Sequence, residues 1–211
     1  MPVVIELTLN TKPGHYERAL DTYLSWVSTL EDQVADLALV LIAGEPSQDV
    51  IHGIGVYDHA EVAEGLASTP FFAEFADALE PHLSDSPERN ELELLQVYAI
   101  DTDIQAPDIG EASLVEVSMR AKLGRVDEMV EIHETFAGAF QEVQPDAAII
   151  LETVQRASGR MRVFVLYQHA QVAAAEGVGE LVGGFYDAVE PLLAEPARRS
   201  ELHIVHAFAR G

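Results

Sequence analysis

Residues Glu6–Gly14 read ELTLNTKPG, and Glu116–Gly124 read EVSMRAKLG. Glu6, Lys12 and Gly14 recur as Glu116, Lys122 and Gly124 at a constant offset of 110 residues. The same offset matches Leu20, Tyr23, Trp26 and Leu30 with Val130, His133, Phe136 and Phe140. It matches Tyr57-Asp58-His59-Ala60 with Tyr167-Gln168-His169-Ala170, and Phe75, Asp77, Glu80 and Pro81 with Phe185, Asp187, Glu190 and Pro191. A period this long fits duplication of a whole domain, not a solenoid.

Each copy has the same coarse pattern. In the first, Val3–Leu9 alternates as a strand, Lys12-Pro13-Gly14 is a turn signal, and Gly14–Leu30 repeats apolar residues at helical spacing. Ala38–Ala43 and Val50–Tyr57 form a hairpin across the polar turn Glu45–Asp49. Ala60–Leu66 begins a helical stretch that Ser68-Thr69-Pro70 interrupts and Phe72, Phe75 and Leu79 continue as far as Pro81. Leu92–Ala99 closes the copy as a strand. The order β-α-β-β-α-β is the ferredoxin-like unit, an α+β fold. Residues 1–100 and 113–211 are the two expected units, joined by a Pro-, Gly- and acid-rich linker over 101–112. A four-stranded sheet with both helices on one face leaves the other face bare, so the two units are expected to pack sheet to sheet within one chain, with a ligand cavity between the sheets.

Composition limits the partners. The 211 residues carry 36 acidic and 12 basic side chains, a formal charge of −24, and no cysteine. Such a surface repels phosphate backbones and anionic membranes, so neither nucleic acid nor membrane is expected as a partner. Disulfide and thiolate chemistry are excluded. The start, MPVVIELTL, reads as a strand and not as a leader, no apolar run approaches bilayer length, and a cytoplasmic location is expected.

Four stretches resemble the antibiotic biosynthesis monooxygenase family of the dimeric α/β-barrel superfamily: the strand ending at Lys12-Pro13-Gly14, Val56-Tyr57-Asp58-His59, the run STPFFAEF over Ser68–Phe75, and ELELLQV over Glu91–Val97. The second half follows the same plan. The resemblance implies a cofactor-independent monooxygenase-like enzyme acting on a small aromatic or quinone-type molecule. It also implies a pseudo-dimer within one chain, with further homodimers open. The family's first-strand asparagine is replaced by Glu6 and Glu116, and its third-strand tryptophan by Tyr57 and Tyr167. Where its haem-degrading members place an axial histidine, this chain has Phe75 and Phe185, so no haem or other cofactor is expected.

Glu6 and Glu116 are the expected catalytic bases, since a carboxylate in a partly apolar barrel can abstract a proton from a phenol or from carbon beside a carbonyl. Tyr57 and Tyr167 are expected on the same face as hydrogen-bond donors to a substrate oxygen. Asn10 and Arg120 occupy matching positions as candidate ligand-binding residues, Arg120 serving equally to neutralise Glu116. These acids and phenols serve equally as lining that satisfies one another. The eight histidines form no expected metal site: His203 and His206 fall on opposite faces of a strand, His59 and His169 mark helix starts, and His133 replaces the core residue Tyr23. The run Glu176–Gly179 with Gly183-Gly184 reads as a loosened helix that could cover a cavity, not as a phosphate loop. Two other readings remain open: an isomerase or cyclase using Glu6 or Glu116 as base, and a non-catalytic binding or structural protein.

Overall fold

A computed structural model describes residues 1–99, 112–143, 147–168 and 179–210. The linker 101–111, Asp146, His169 and residues 176–178 of the glycine-rich run lie outside them. Both copies follow the expected order. The first has β1 (Val3–Asn10), α1 (Tyr16–Gln33), β2 (Leu37–Glu45), β3 (Val50–Tyr57), α2 (Ala60–Leu66), α3 (Pro70–Leu79) and β4 (Glu88–Ala99). The second has β5 (Ser113–Arg120), α4 (Val126–Val143), β6 (Ala147–Gln155), β7 (Arg160–Tyr167), α5 (Glu180–Val189) and β8 (Arg198–Ala209).

The turns explain why the opening motif repeats. Gly14 and Gly124 take φ of 76° and 77°, a left-handed conformation that side chains beyond glycine resist. Lys12 Nζ donates to the Pro81 carbonyl at 2.9 Å, and Lys122 Nζ to that of Pro191 at 2.7 Å. The only two lysines of the chain therefore do the same work, tying the first turn of each copy to the end of its last helix. The interruption at Ser68–Pro70 is a helix start: Thr69 Oγ1 accepts from the Phe72 amide at 3.2 Å, and Pro70 opens α3, where its missing N–H costs nothing.

The chain divides into two compact units, Met1–Leu92 with His203–Gly211, and Glu93–Leu202. The divisions fall inside the two twelve-residue strands β4 and β8. In the first unit β3 lies between β1 and β2, and β2 also pairs with Ala209–His203 of β8, all antiparallel. In the second, β7 lies between β5 and β6; β5 pairs with Arg198–Leu202 of β8, and β6 with Glu93–Ala99 of β4. Each core fills the space between one sheet face and its helices. In the first unit Val3, Ile5, Leu7 and Leu9 pack with Tyr23, Trp26, Val27 and Phe75. In the second, Met119, Val154 and Met161 pack with Met129, Val130 and Phe185. No described helix is long and apolar enough to cross a membrane.

Candidate functional site

Strand pairing decides which side chains can meet. In the first unit Val3 faces Tyr57 and Glu6 faces Ile54. Residues opposite one another share a face, so Tyr57 lies with Val3, Ile5 and Leu7 toward the helices, and Glu6 lies on the other face. In the second unit Ser113 faces Tyr167 and Glu116 faces Phe164, with the same result. The expectation that glutamate and tyrosine share a face is therefore corrected in both units. Its cause is parity: a one-residue error in assumed register moves a whole set of side chains to the opposite face.

Glu6 is buried and its Oε2 accepts from Asn90 Nδ2 at 3.1 Å. Glu116 lies 3.4 Å from the guanidinium of Arg162, so its cationic neighbour is Arg162 and not Arg120, which is exposed at the strand end opposite Arg160. Asn10 donates to the Asp85 carboxylate at 3.2 Å on the surface. Tyr57 is buried in the first core, and burial pushes its phenol up to about 12 despite the opposing pull of Arg89.

The second unit holds a cavity of about 110 Å³ between its sheet and helices α4 and α5. Its walls are mostly apolar: Val117, Ile150, Val163 and Val165 from the sheet, Phe140, Val182 and Phe185 from the helices. Tyr167, Glu152 and Arg199 supply most of the polar chemistry. The volume approaches the roughly 150 Å³ at which an apolar protein cavity takes up benzene. This cavity lies on the helix face of the second unit, the face of Tyr167 and not that of Glu116.

Glu152 is 4% exposed. Its Oε2 accepts from Gln96 Nε2 at 2.6 Å and lies 3.2 Å from Nδ1 of His133, which is 1% exposed. With Glu152 ionised, His133 carries its proton on Nδ1, and His133 Nε2 has no hydrogen-bond partner among the described residues. Both anchors act on one carboxylate oxygen, Oε2. His133 also meets the Phe185 ring edge to face, with centroids 4.9 Å apart.

The first unit shows what the same scaffold looks like when filled. Tyr23 stands for His133, Trp26 for Phe136 and Ile42 for Glu152; Gly53 and Gly55 stand for Val163 and Val165. Trp26 stacks on Phe75 at 4.1 Å and 15°, and Phe71 lies on Trp26 at 5.6 Å. Tyr23 lies so close over Gly53 that a Cβ there would sit 1.8 Å from its hydroxyl. The corresponding space shrinks to about 30 Å³. Glu152 and Gln96 were missed in the sequence because Glu152 breaks an apolar strand only once, and nothing short of the sheet register joins it to His133. The readable signal was the repeat itself, in which Ile42 and Tyr23 become an acid and an imidazole.

The chain thus belongs in the class of duplicated ferredoxin-like α+β proteins with a ligand-sized cavity under the helices of one copy. Solved structures of the same fold include a "putative monooxygenase" from Fusobacterium nucleatum subsp. nucleatum, similar at a TM-score of 0.85 and 12% identity over 100% of this chain and 95% of that one. Another "putative monooxygenase", from Lactobacillus acidophilus NCFM, gives 0.80 and 8% over 100% and 97%. An anthrone oxidase-like protein gives 0.65 and 12% over 100% and 93%. At these identities the likeness is one of fold. No protein-family model and no curated protein matches the sequence.

Proposed function

We propose that the chain is a cofactor-independent oxygenase of small phenolic rings, with its site in the second unit. The observation that carries this reading is the buried Glu152 carboxylate in an apolar cavity of single-ring size, one oxygen held by Gln96 and His133. A carboxylate in the wall of an apolar cavity is placed to accept the proton of a hydroxyl bound there. The monooxygenase names borne by proteins of the same fold support the choice of oxygen chemistry.

Glu152 takes the phenol proton, and His133 steadies the carboxylate through the change in charge. The electron-rich phenolate passes electrons to dioxygen, and its para carbon forms a bond to one oxygen atom. That carbon then loses its hydrogen as the O–O bond breaks. It becomes a second carbonyl, and the departing oxygen leaves as water with the proton returned from Glu152. One phenol and one dioxygen give one para-quinone and one water. Tyr167 lines the cavity and is assigned as hydrogen-bond donor to the oxygen that becomes the carbonyl.

The test is oxygen consumption with phenol and hydroquinone under isotopically labelled dioxygen, with one labelled atom expected in the quinone from phenol and one in water. Glu152→Gln should lower the rate by about a hundredfold or more, the usual scale of a general base, with the circular-dichroism spectrum retained. Uptake of oxygen unchanged in Glu152→Gln but lost in Glu116→Gln would move the site to the opposite face. Proton exchange into the ring without oxygen uptake would select the isomerase reading.

A further inference from the structure

Every lysine and arginine of the second unit falls in one of three stretches: Arg120–Arg125, Arg156–Arg162, and Arg198 with Arg199. Strand pairing gathers these stretches at one end of the sheet. Arg120 at the end of β5 faces Arg160 at the start of β7, and Ser118 lies between Arg162 on β7 and Arg198 on β8. Residues opposite one another share a face, and alternate residues along a strand return to it. Arg120, Arg160, Arg162 and Arg198 therefore stand on one face, that of Glu116 and not of the cavity. The matching positions of the first copy hold Asn10, Val50, His52 and Glu88, so the arginine cluster belongs to one copy.

Most of these cations are already engaged. Lys122 donates to the Pro191 carbonyl, Arg125 to Glu128, and Arg156 to Glu93 and Asp127. On the shared face Glu116 lies 3.4 Å from Arg162, and Glu195 lies 3.6 Å from Arg198. Arg120 and Arg160 are exposed, and their side chains have no hydrogen bond or ion pair among the described residues. Like charges directly opposite on neighbouring strands destabilise a sheet. Carboxylates are not scarce in a chain with 36 acids against 12 bases, yet none is set against this pair.

We propose that Arg120 and Arg160 together bind a small doubly charged oxyanion, either inorganic phosphate or a phosphate monoester. Facing β-carbons sit about 5 Å apart, so two planar guanidinium forks can close on one tetrahedral group from two sides. Glu116 and Glu195 offset two of the four guanidinium groups on this face, and a dianion offsets the other two. Charge also sets the size of the ligand. A long polyanion would lie across the rest of a surface of formal charge −24 and be repelled. A phosphate group is smaller than the screening length of about 8 Å in physiological salt, so it answers to these arginines and not to distant acids.

Calorimetric titration of the full chain with inorganic phosphate, glycerol 3-phosphate and acetate tests the proposal, at about pH 8, where phosphate monoesters are dianions, and in about 0.15 M salt. A single equivalent of either phosphate should bind, and acetate, singly charged and planar, should bind roughly tenfold more weakly or worse. Arg120→Gln and Arg160→Gln should each weaken phosphate by about ten- to a hundredfold, the scale of a hydrogen bond to a charged group. Arg160→Lys should recover part of the loss. A tighter ester than free phosphate would identify an ester as the ligand, and equal binding the free ion; both results support the site. Each glutamine variant removes a repulsion at an exposed position, so its urea midpoint without phosphate should hold or rise. The further rise that phosphate produces in the natural chain should disappear. Absence of phosphate binding, binding unchanged in both variants, or acetate bound as tightly as phosphate would overturn the proposal. Tighter binding of polyglutamate or of an oligonucleotide, lost in the same variants, would overturn the assignment to a small anion.

Discussion

His133 Nδ1 stands 3.2 Å from Oε2 of Glu152, both groups buried, at the positions that Tyr23 and Ile42 occupy in the first unit. One copy of the duplicated unit thus carries an acid and an imidazole where the other carries core. Burying such a pair is expensive, and well-packed apolar residues in its place are often neutral or stabilising by about 1–4 kcal/mol. The double substitution His133→Leu with Glu152→Ile is expected to hold or raise the urea midpoint while abolishing phenol binding. His133→Ala alone should cost about 3 kcal/mol, because it strips a buried carboxylate of one of its two donors. Leucine is the right probe at 133 because tyrosine would run into Val163, where the first unit has Gly53.

Gly53 gives way to the Tyr23 ring. Gly53→Ala would set a methyl 1.8 Å from the Tyr23 hydroxyl, so the ring must move out of a closely packed aromatic group. Overpacking of this kind costs about 1–3 kcal/mol. Chemical denaturation should show the loss, and adding Tyr23→Leu should restore most of it.

The filled first unit sets the stoichiometry. The natural chain should bind one equivalent of phenol, held in the second unit's 110 Å³ space. Trp26→Ala removes the indole that stacks on Phe75 and should admit a second, weaker equivalent. Two equivalents in the natural chain would show that the first unit opens on its own.

Alkaline stability should follow Tyr57. Burial raises its folded pKa from 10.0 to about 12, so above pH 10 the unfolded chain releases a proton that the folded chain keeps. Stability is therefore full below pH 10 and falls as pH rises toward 12, by on the order of 2–3 kcal/mol from this residue. Tyr57→Phe should flatten that part of the curve of unfolding free energy against pH. Tyr23, raised further by burial, keeps some of the slope in the variant.

At the acid end, the Arg156 guanidinium bonds the Glu93 carboxylate and holds it below the usual range. The stabilisation is present at neutral pH and is lost as pH falls through the lowered folded value. Both groups are about half exposed, so Arg156→Gln should change the acid midpoint of unfolding only slightly, and less in high salt.

The sequence alone determined the duplication, the order of elements and the turns. Those rest on local physics: alternation, helical spacing, a glycine with positive φ, and proline at a helix start. It also placed Tyr167 among candidate site residues, and Tyr167 lines the cavity. Only the tertiary structure decided where the hollow lies and what faces it. Face parity across strands is set by pairing register, which joins Glu152 to Gln96 over 56 residues and puts Glu6 and Glu116 on the opposite face from the tyrosines. Whether the space under the helices is empty depends on the summed volumes of side chains from four or more elements. Trp26 and Tyr23 fill it in one copy, and Phe136 and His133 leave it open in the other.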